Sequence, residues 1–277
     1  MNAAEALICA KASEAIYGTA EDTKGEVTAQ QTLAPDGFSI SAWIDLQTVF
    51  KDVCAFVASS RDYNLLVFRG TKIPQDWMAD LYCTPARFEW IFKSAPPVGE
   101  IHAGFGHTLA DGLSLIISGL APRDQTKPLL ITGHSLGGAL AALVAACFNI
   151  MGAAIRPVSA IYTFGQPRIG LNDFCNTYGR LLGNKLVRFV NQQDLVPRVP
   201  FRNWDYSDEG KMVHFDSSGK PSIQSAEWQN FLSRTLQSFG DFFEIMSHIR
   251  VDIGDHSMTG YRQLVQQNQD TLNSLLQ

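Results

Sequence analysis

The sequence predicts an α/β fold with a mainly parallel central sheet that is covered by helices on both faces. Short apolar runs rich in β-branched and aromatic residues are typical of strands that are buried on both sides. Helical segments lie between several of these runs, and such alternation favours a parallel sheet. The breaks rich in proline and glycine are short, and none resembles a flexible linker. We therefore expect a single domain over residues 1–277.

Five apolar runs are the predicted strands, at residues 54–58, 64–68, 128–132, 159–164 and 185–190. The predicted helices lie at about residues 104–118, 137–150 and 170–182, and an alanine-rich amphipathic helix is predicted over residues 1–17. In an open parallel sheet, functional groups lie at the carboxyl ends of the strands. The search for a site therefore begins with the residues that directly follow each run.

Composition argues against several kinds of function. The net charge of −5 provides no attraction for nucleic acid, so we expect no nucleic-acid partner. Five scattered cysteines without a C-x-x-C pair predict free thiols rather than a zinc or redox site. We expect no transmembrane segment, and the N-terminus lacks the basic start and unbroken apolar core of a signal peptide. The protein is therefore expected to be soluble, and either cytoplasmic or exported by another route; its oligomeric state stays open.

The strongest motif is Gly133-His134-Ser135-Leu136-Gly137, which matches G-x-S-x-G. It directly follows a predicted strand and directly precedes a predicted helix, which is the context that a nucleophile elbow requires. The strand-to-helix turn is so sharp that glycine is needed on both sides of the serine. The motif therefore predicts that Ser135 is a catalytic nucleophile; the alternative is a glycine-rich turn with an incidental serine.

A serine nucleophile needs a base, which in enzymes with this elbow comes last in the order Ser, acid, His. Three histidines follow Ser135, namely His214, His248 and His256. His256 lies in a short loop before a predicted helix at residues 258–269, where it could reach a strand end. His248 has the spacing of a helix-face residue, and His214 lies in a polar excursion. We predict that His256 is the base, against the alternative of a surface-loop histidine.

The acid of such a triad should also lie at a strand end. Asp194 directly follows the strand predicted to end near residue 191, and it is the candidate with that placement. Five other acids are predicted to be solvated, namely Asp173, Asp205, Asp208, Glu209 and Asp216. We predict that Asp194 orients His256, and the alternative is an aspartate that only forms a turn.

From residue 13 to residue 265 the chain resembles the class 3 lipases, the fungal-lipase-like family of the α/β-hydrolase fold. The resemblance rests on stretches in the family's order, namely Phe68-Arg69-Gly70-Thr71, Asp76-Trp77-Met78-Ala79-Asp80-Leu81, His102-Ala103-Gly104-Phe105, Tyr162-Thr163-Phe164-Gly165-Gln166-Pro167-Arg168-Ile169-Gly170 and Asp194-Leu195-Val196-Pro197-Arg198-Val199-Pro200. The family's triad maps onto Ser135, Asp194 and His256, which position along the chain had already selected.

Hydrolysis of an ester also needs donors for the oxyanion. The backbone N–H of Leu136, the residue after the nucleophile, is one expected donor. The resemblance implies that Thr71 is the other, through its backbone N–H and its hydroxyl. Thr71 closes the strand predicted at residues 64–68, and capping of the next helix is an alternative role that is compatible with this one.

A short helix with an apolar face is predicted after Thr71, and we interpret it as a lid over about residues 72–84. Its predicted residues are Ile73, Asp76, Trp77, Met78, Asp80 and Leu81. The alternative is a helix packed permanently on the core. The resemblance implies that Tyr17 bonds Asp80 when the lid opens. Further candidate substrate-binding residues are Tyr17, His134, Val196 and Ile253. An insertion at about residues 201–249 is expected to form a core-packing helix pair, or else to contact a partner or a membrane.

Together these observations predict a carboxylic-ester hydrolase that cleaves acylglycerol esters through an acyl-enzyme. We expect a lipid or ester substrate, transient contact with a lipid–water interface, and no metal or organic cofactor. Phospholipase A1, galactolipase and feruloyl esterase remain alternatives in the same frame. A catalytically inactive hydrolase fold that acts as a binding module is the alternative from a different class.

Overall fold

The computed structural model describes residues 1–19, 22, 25–46, 53–71, 84–93, 95–152, 157–223 and 254–277. The predicted lid residues 72–83 lie outside this part, as do Cys83, His248, Ile253 and residues 224–249 of the predicted insertion. The strands are β1 (Ser39–Asp45), β2 (Cys54–Ser59), β3 (Asn64–Arg69), β4 (Pro85–Arg87), β5 (Glu100–His102), β6 (Leu129–His134), β7 (Val158–Phe164), β8 (Gly170–Leu171), β9 (Leu186–Asn191), β10 (Tyr206–Ser207), β11 (Lys211–Phe215) and β12 (Pro221–Ser222). The α-helices are α1 (Ala3–Ala15), α2 (Glu26–Leu33), α3 (Phe88–Ile91), α4 (Ala103–Leu120), α5 (Leu136–Ile150), α6 (Asn172–Leu182), α7 (Met258–Gln267) and α8 (Gln269–Leu276).

The central sheet of the described chain has eight strands in the order β1-β2-β3-β6-β7-β9-β11-β12. The four pairings from β3 through β6, β7 and β9 to β11 are parallel, and the three outer pairings are antiparallel. The prediction of a largely parallel sheet is therefore confirmed. The antiparallel edges were not predicted, because β1 and β12 are partly exposed and lack the continuous apolar run of a buried strand.

Helices cover both faces of this sheet, as predicted. Alternate residues of β2 and β3 divide between two apolar clusters, since successive strand side chains point to opposite faces. Ala55, Val57, Leu66 and Phe68 lie in the cluster that contains α5, whereas Phe56, Leu65 and Val67 lie in the cluster that contains α1 and α7. All side chains of α5 from residue 136 to residue 148 are buried, which explains the most apolar helical window of the sequence.

A second, antiparallel sheet in the order β10-β8-β5-β4 was not predicted. Its strands have only two or three residues each, too few to give a periodic pattern. The backbone N–H of His102 donates to Ile169 O at 2.9 Å, which ties the start of α4 to the segment after β7. The small sheet therefore lies at the carboxyl edge of the central strands.

Other boundaries differ from the prediction by short lengths. The first helix starts at residue 3 because Asn2 and Glu5 form a reciprocal capping box. The predicted C-terminal helix divides into α7 and α8 at Asn268. Cys9, Cys147 and Cys175 are free and buried, and Cys54 is also buried. Within the described residues, no helix is long and apolar enough to cross a membrane.

Candidate active site

Ser135 lies in a sharp turn between the end of β6 and the start of α5. Its φ of 58° and ψ of −131° place a non-glycine residue in a strained backbone conformation. A Cβ on Gly133 would lie 2.2 Å from Gly137 O, and a Cβ on Gly137 would lie 2.4 Å from Phe68 O. The two glycines are therefore sterically required, and they let the helix begin immediately after the serine.

The structure brings His256 and Asp194 together. His256 Nδ1 lies 2.8 Å from Asp194 Oδ2, and both side chains are buried. Asp194 lies three residues after the last residue of β9, and its Oδ1 accepts a hydrogen bond of 2.9 Å from the Val196 backbone N–H. His256 lies in the turn before α7. This carboxylate can therefore hold the imidazole with its Nε2 turned away from the acid.

Ser135 Oγ and His256 Nε2 are both buried, and neither has a hydrogen-bond partner among the described residues. A buried polar atom without a partner is costly, so each of these atoms calls for an explanation. The structure thus records the Asp194–His256 hydrogen bond and leaves unpaired the two atoms that a proton transfer from serine to imidazole would join.

Tyr261 is a site residue that the sequence reasoning missed. Its hydroxyl donates to Asp194 Oδ2 at 2.6 Å and accepts from the Asn191 backbone N–H at 3.0 Å. Burial, and then the negative charge of Asp194, raise the pKa of Tyr261 well above its usual value, so the phenol remains a donor. In the sequence, Tyr261 shares a helical stripe with Met258 and Val265, which reads as core packing alone.

His134 and Tyr17 form a chain of contacts behind the imidazole. His134 Nε2 lies 2.8 Å from His256 O, and Tyr17 Oη lies 3.0 Å from His134 Nδ1. Burial, and then the charge of His256, lower the pKa of His134 well below its usual value. A neutral His134 must donate from Nε2 to the carbonyl, so Nδ1 accepts the proton of Tyr17. These two predicted substrate-binding residues thus contact each other, and His134 also contacts the His256 backbone.

The two predicted oxyanion donors lie on neighbouring segments. Leu136 is the first residue of α5, so its N–H is one of the helix donors without an intrahelical acceptor. A Cβ on Gly70 would lie 3.1 Å from Leu136 N, which shows how closely the backbone after β3 approaches this helix start. Thr71 follows Gly70 and is buried. Anions are favoured at such a helix N-terminus.

The family model described as Lipase (class 3) matches residues 65–204, half of the chain, including Ser135 and Asp194. The chain belongs to the class 3 lipase family. The resemblance inferred from the sequence motifs is therefore confirmed.

Individual relatives agree with this assignment. The chain is similar to a lipase of Rhizomucor miehei, with 27% identity over 218 residues that cover 76% of this chain and 57% of the relative. It is also similar to phospholipase A1-II 4 of Oryza sativa subsp. japonica, with 29% identity over 209 residues that cover 67% of this chain and 51% of the relative. The chain thus spans about half the length of the curated relatives it matches. Among solved structures, a triacylglycerol lipase whose catalytic centre is formed by a serine protease triad superposes with a TM-score of 0.62 and 25% identity, over 79% of this chain and 81% of that chain.

In the class 3 lipase stretch after β7, the position of Gly165 has no room for a side chain beside Asp194 and His256. Gly165 follows β7 with a φ of +58°. A Cβ at this position would lie 2.8 Å from Asp194 Oδ2 and 2.8 Å from His256 Nδ1. The stretch that contains Gly165 therefore forms a wall against the acid–base pair, and it can do so only where there is no side chain.

Two buried arginines, Arg168 of a class 3 lipase stretch and Arg188 of β9, belong to one ionic network around Asp208. Arg168 Nε donates to Asp208 at 2.9 Å, and its Nη1 donates to Arg198 O and to Pro200 O, the latter at 2.8 Å. Arg188 Nη1 also donates to Asp208, at 3.1 Å. Burial raises the pKa of Asp208, but the charges of Arg188 and Arg168 outweigh it and hold the pKa below its usual value. The network thus fixes the two stretches that follow β7 and β9.

Glu209, which was predicted to be solvated, and His214, which was predicted to lie in a polar excursion, are both buried. Glu209 is buried, with its carboxyl accepting a hydrogen bond from Gln166 and lying 3.7 Å from Arg188 Nε. His214 is buried on β11, where its Nε2 lies 2.9 Å from Gln192 O. The burial of His214 was missed because its strand lacks a continuous apolar run. Residues 211–215 form a strand that pairs in parallel with β9, but polar residues before and after it interrupt the apolar pattern by which a buried strand is predicted.

Glu209→Gln is expected to change the pH dependence of stability in this class 3 lipase. Burial raises the pKa of Glu209 to about 7, with the Arg188 charge acting in the opposite direction. Because the folded-state pKa lies above the unfolded value, the contribution of Glu209 to stability is full below about pH 4.5 and is lost as pH rises to about 7. Glutamine does not titrate, so the variant does not lose this stability. The free energy of unfolding of the variant minus that of the wild type should therefore increase by on the order of 2–3 kcal/mol from pH 4.5 to pH 7.5.

Urea unfolding at the two pH values measures this difference. The exposed Asp205 provides a control, because Asp205→Asn also replaces a carboxyl by an amide, but at the surface rather than at a buried site. An offset for Glu209→Gln that is equal at pH 4.5 and pH 7.5 would contradict the assignment.

Proposed function

We propose that this protein hydrolyses the carboxylic esters of acylglycerols through a covalent acyl-enzyme on Ser135. The observation that carries the proposal is the hydrogen-bonded, buried Asp194–His256 pair, whose His256 backbone carbonyl contacts His134, the residue before the serine of a nucleophile elbow. Membership of the class 3 lipase family supports the same chemistry. The substrate is a lipid, and we propose that the protein meets it by transient contact with a lipid–water interface.

The proposed reaction has two steps. Ser135 Oγ attacks the ester carbonyl carbon while His256 Nε2 takes the hydroxyl proton, and Asp194 stabilises the resulting imidazolium. The backbone N–H of Leu136 and Thr71 stabilise the oxyanion of the tetrahedral intermediate. His256 then gives its proton to the alcohol as the C–O bond breaks. A water molecule, deprotonated by the same imidazole, attacks the acyl-enzyme and releases the fatty acid.

A substrate panel tests the proposal, with Ser135→Ala as the blank. We expect the wild type to release fatty acid from emulsified triacylglycerol. The rice relative is named a phospholipase A1 at similar identity, so phosphatidylcholine is the second substrate. Release of 2-acyl lysophosphatidylcholine without triacylglycerol hydrolysis would reassign the protein as a phospholipase A1. Hydrolysis of soluble aryl esters alone would make it an esterase, and no hydrolysis or labelling by a fluorophosphonate would make it a binding module.

Gly165→Ala is expected to lower kcat/KM for a soluble ester by about 100-fold, because a displacement of the acid–base pair by roughly 1 Å can cost that much. The added Cβ would overlap His256 and Asp194, as the distances of 2.8 Å require. Initial rates on p-nitrophenyl butyrate measure the effect.

Gly37→Ala is the matched control. Gly37 also has a positive φ, of +80°, but a Cβ there would meet nothing within 4 Å. Both variants should lose stability from the strained backbone, and only Gly165→Ala should lose turnover. Equal kcat/KM in the two variants would show that the Gly165 wall does not constrain the pair.

A further inference from the structure

We propose that Tyr261 is a positioning residue for the reaction, which fixes Asp194 and limits how strongly its carboxylate attracts the proton on His256. This inference rests on the proposed function, because it assigns Asp194 and His256 as acid and base. It concerns a residue that touches neither the ester nor Ser135, and that acts through the carboxylate.

The direction of the Tyr261 hydroxyl proton follows from its two partners. The Asn191 backbone N–H donates to Tyr261 Oη at 3.0 Å, so this contact uses an acceptor site of the phenol. The phenol proton is then left for Asp194 Oδ2, which lies at 2.6 Å. The same oxygen receives the hydrogen bond from His256 Nδ1 at 2.8 Å. Tyr261 and His256 therefore share one carboxylate oxygen.

The segments that carry the acid and the base are joined at this point. Asp194 follows β9, whereas His256 precedes α7, which carries Tyr261. Asn191, at the end of β9, also donates from Nδ2 to Asp255 O at 3.0 Å. Helix α7 is held in turn by Glu14 of α1, which accepts from Arg262 and, at 2.6 Å, from Thr259 Oγ1. Tyr261 thus links the strand end to an anchored helix beside the imidazole.

Sharing an oxygen has an electrostatic consequence. A hydrogen bond to the charged form of a carboxylate stabilises that form and reduces its remaining proton affinity. Loss of the Tyr261 hydroxyl should therefore increase the effect of Asp194 on His256 and favour the imidazolium. Among the described residues, the other titratable or charged groups around the pair are Tyr17 and His134 on one side, Arg198 after β9, and Asp255 in the preceding turn. All of them stay in place in a Tyr261→Phe variant.

Tyr261→Phe is the test, with Tyr178→Phe as the matched control. Tyr178 is also fully buried, and its hydroxyl has no hydrogen-bond partner among the described residues. For a soluble ester we expect Tyr261→Phe to lower kcat about 10-fold with little change in KM. Removal of the hydrogen-bond partner of a metal-binding side chain has an effect of similar size in metalloenzymes. The acidic limb of kcat/KM against pH should move up by roughly half a unit to one unit. Tyr178→Phe should change neither quantity.

Two further measurements keep the inference falsifiable if turnover or folding fails. In a Ser135→Ala background, NMR titration of the His256 ring should show its midpoint move to higher pH when Tyr261→Phe is added, whether or not the protein hydrolyses esters. Replacing Tyr261 by 3-fluorotyrosine makes the phenol a stronger donor, and should move the midpoint to lower pH. If activity fell only in proportion to a lower Tm, and the midpoint of the His256 titration changed in neither variant, Tyr261 would be a packing residue and the inference would be overturned. Wild-type activity in Ser135→Ala would instead refute the proposed function.

Discussion

Ser135→Ala is expected to abolish ester hydrolysis, with kcat falling by about three orders of magnitude or more, while the protein keeps its fold. The reason for the loss is that no other group can form the acyl-enzyme. Stability should hold because alanine has the same Cβ at the strained φ of 58° and removes a buried hydroxyl that has no partner among the described residues. Initial rates, with thermal melting beside them, measure both parts.

A fluorophosphonate probe separates this assignment from a general loss of structure. The wild type should be labelled covalently, and Ser135→Ala should not be labelled at all. Ser13, which is also buried and whose hydroxyl is hydrogen-bonded to Thr132, provides the control. Ser13→Ala should still be labelled and active, even if its Tm falls. More than a tenth of wild-type turnover in Ser135→Ala would rule out Ser135 as the nucleophile.

The parts of the fold that could be predicted from the sequence are those in which a short stretch of residues is compatible with only one local structure. Largely apolar runs predicted β2, β3, β6, β7 and β9, because strands buried on both faces carry apolar side chains at most positions. The elbow around Ser135 was predicted because the steric requirement at Gly133 and Gly137 is local.

The parts that the sequence did not predict depend on contacts between distant segments. Strand β11 contains the buried His214, whose Nε2 is hydrogen-bonded to the carbonyl of Gln192. These two residues are far apart in the sequence, so no local sequence pattern indicates the contact. The carboxyl of Glu209 is buried because Gln166 and Arg188 surround it. Tyr261 looks like a core residue until the fold brings its hydroxyl to Asp194. Polar groups buried in pairs are thus the main class that sequence patterns miss.

The sequence-based choice of acid and base can be tested against a buried histidine and an exposed aspartate elsewhere in the structure. His256→Ala removes the proposed base, and kcat should fall by about three orders of magnitude or more. Asp194→Asn should cost about 10³- to 10⁴-fold, because an amide nitrogen facing Nδ1 favours the tautomer that carries its proton on Nε2. In that tautomer, His256 cannot accept the proton of Ser135.

The controls use groups of the same type in other places. His214 is as buried as His256 and also contacts a backbone carbonyl, so His214→Ala should lower Tm and leave kcat within a few-fold of wild type. Asp205 is exposed with a positive φ of 62°, a conformation that asparagine tolerates, so Asp205→Asn should be close to wild type in both respects. Initial rates at saturating soluble ester and thermal melts of all four variants decide between the assignments. If His214→Ala lost turnover while His256→Ala kept it, the base would have to be reassigned, because burial alone cannot account for such a difference between two equally buried histidines.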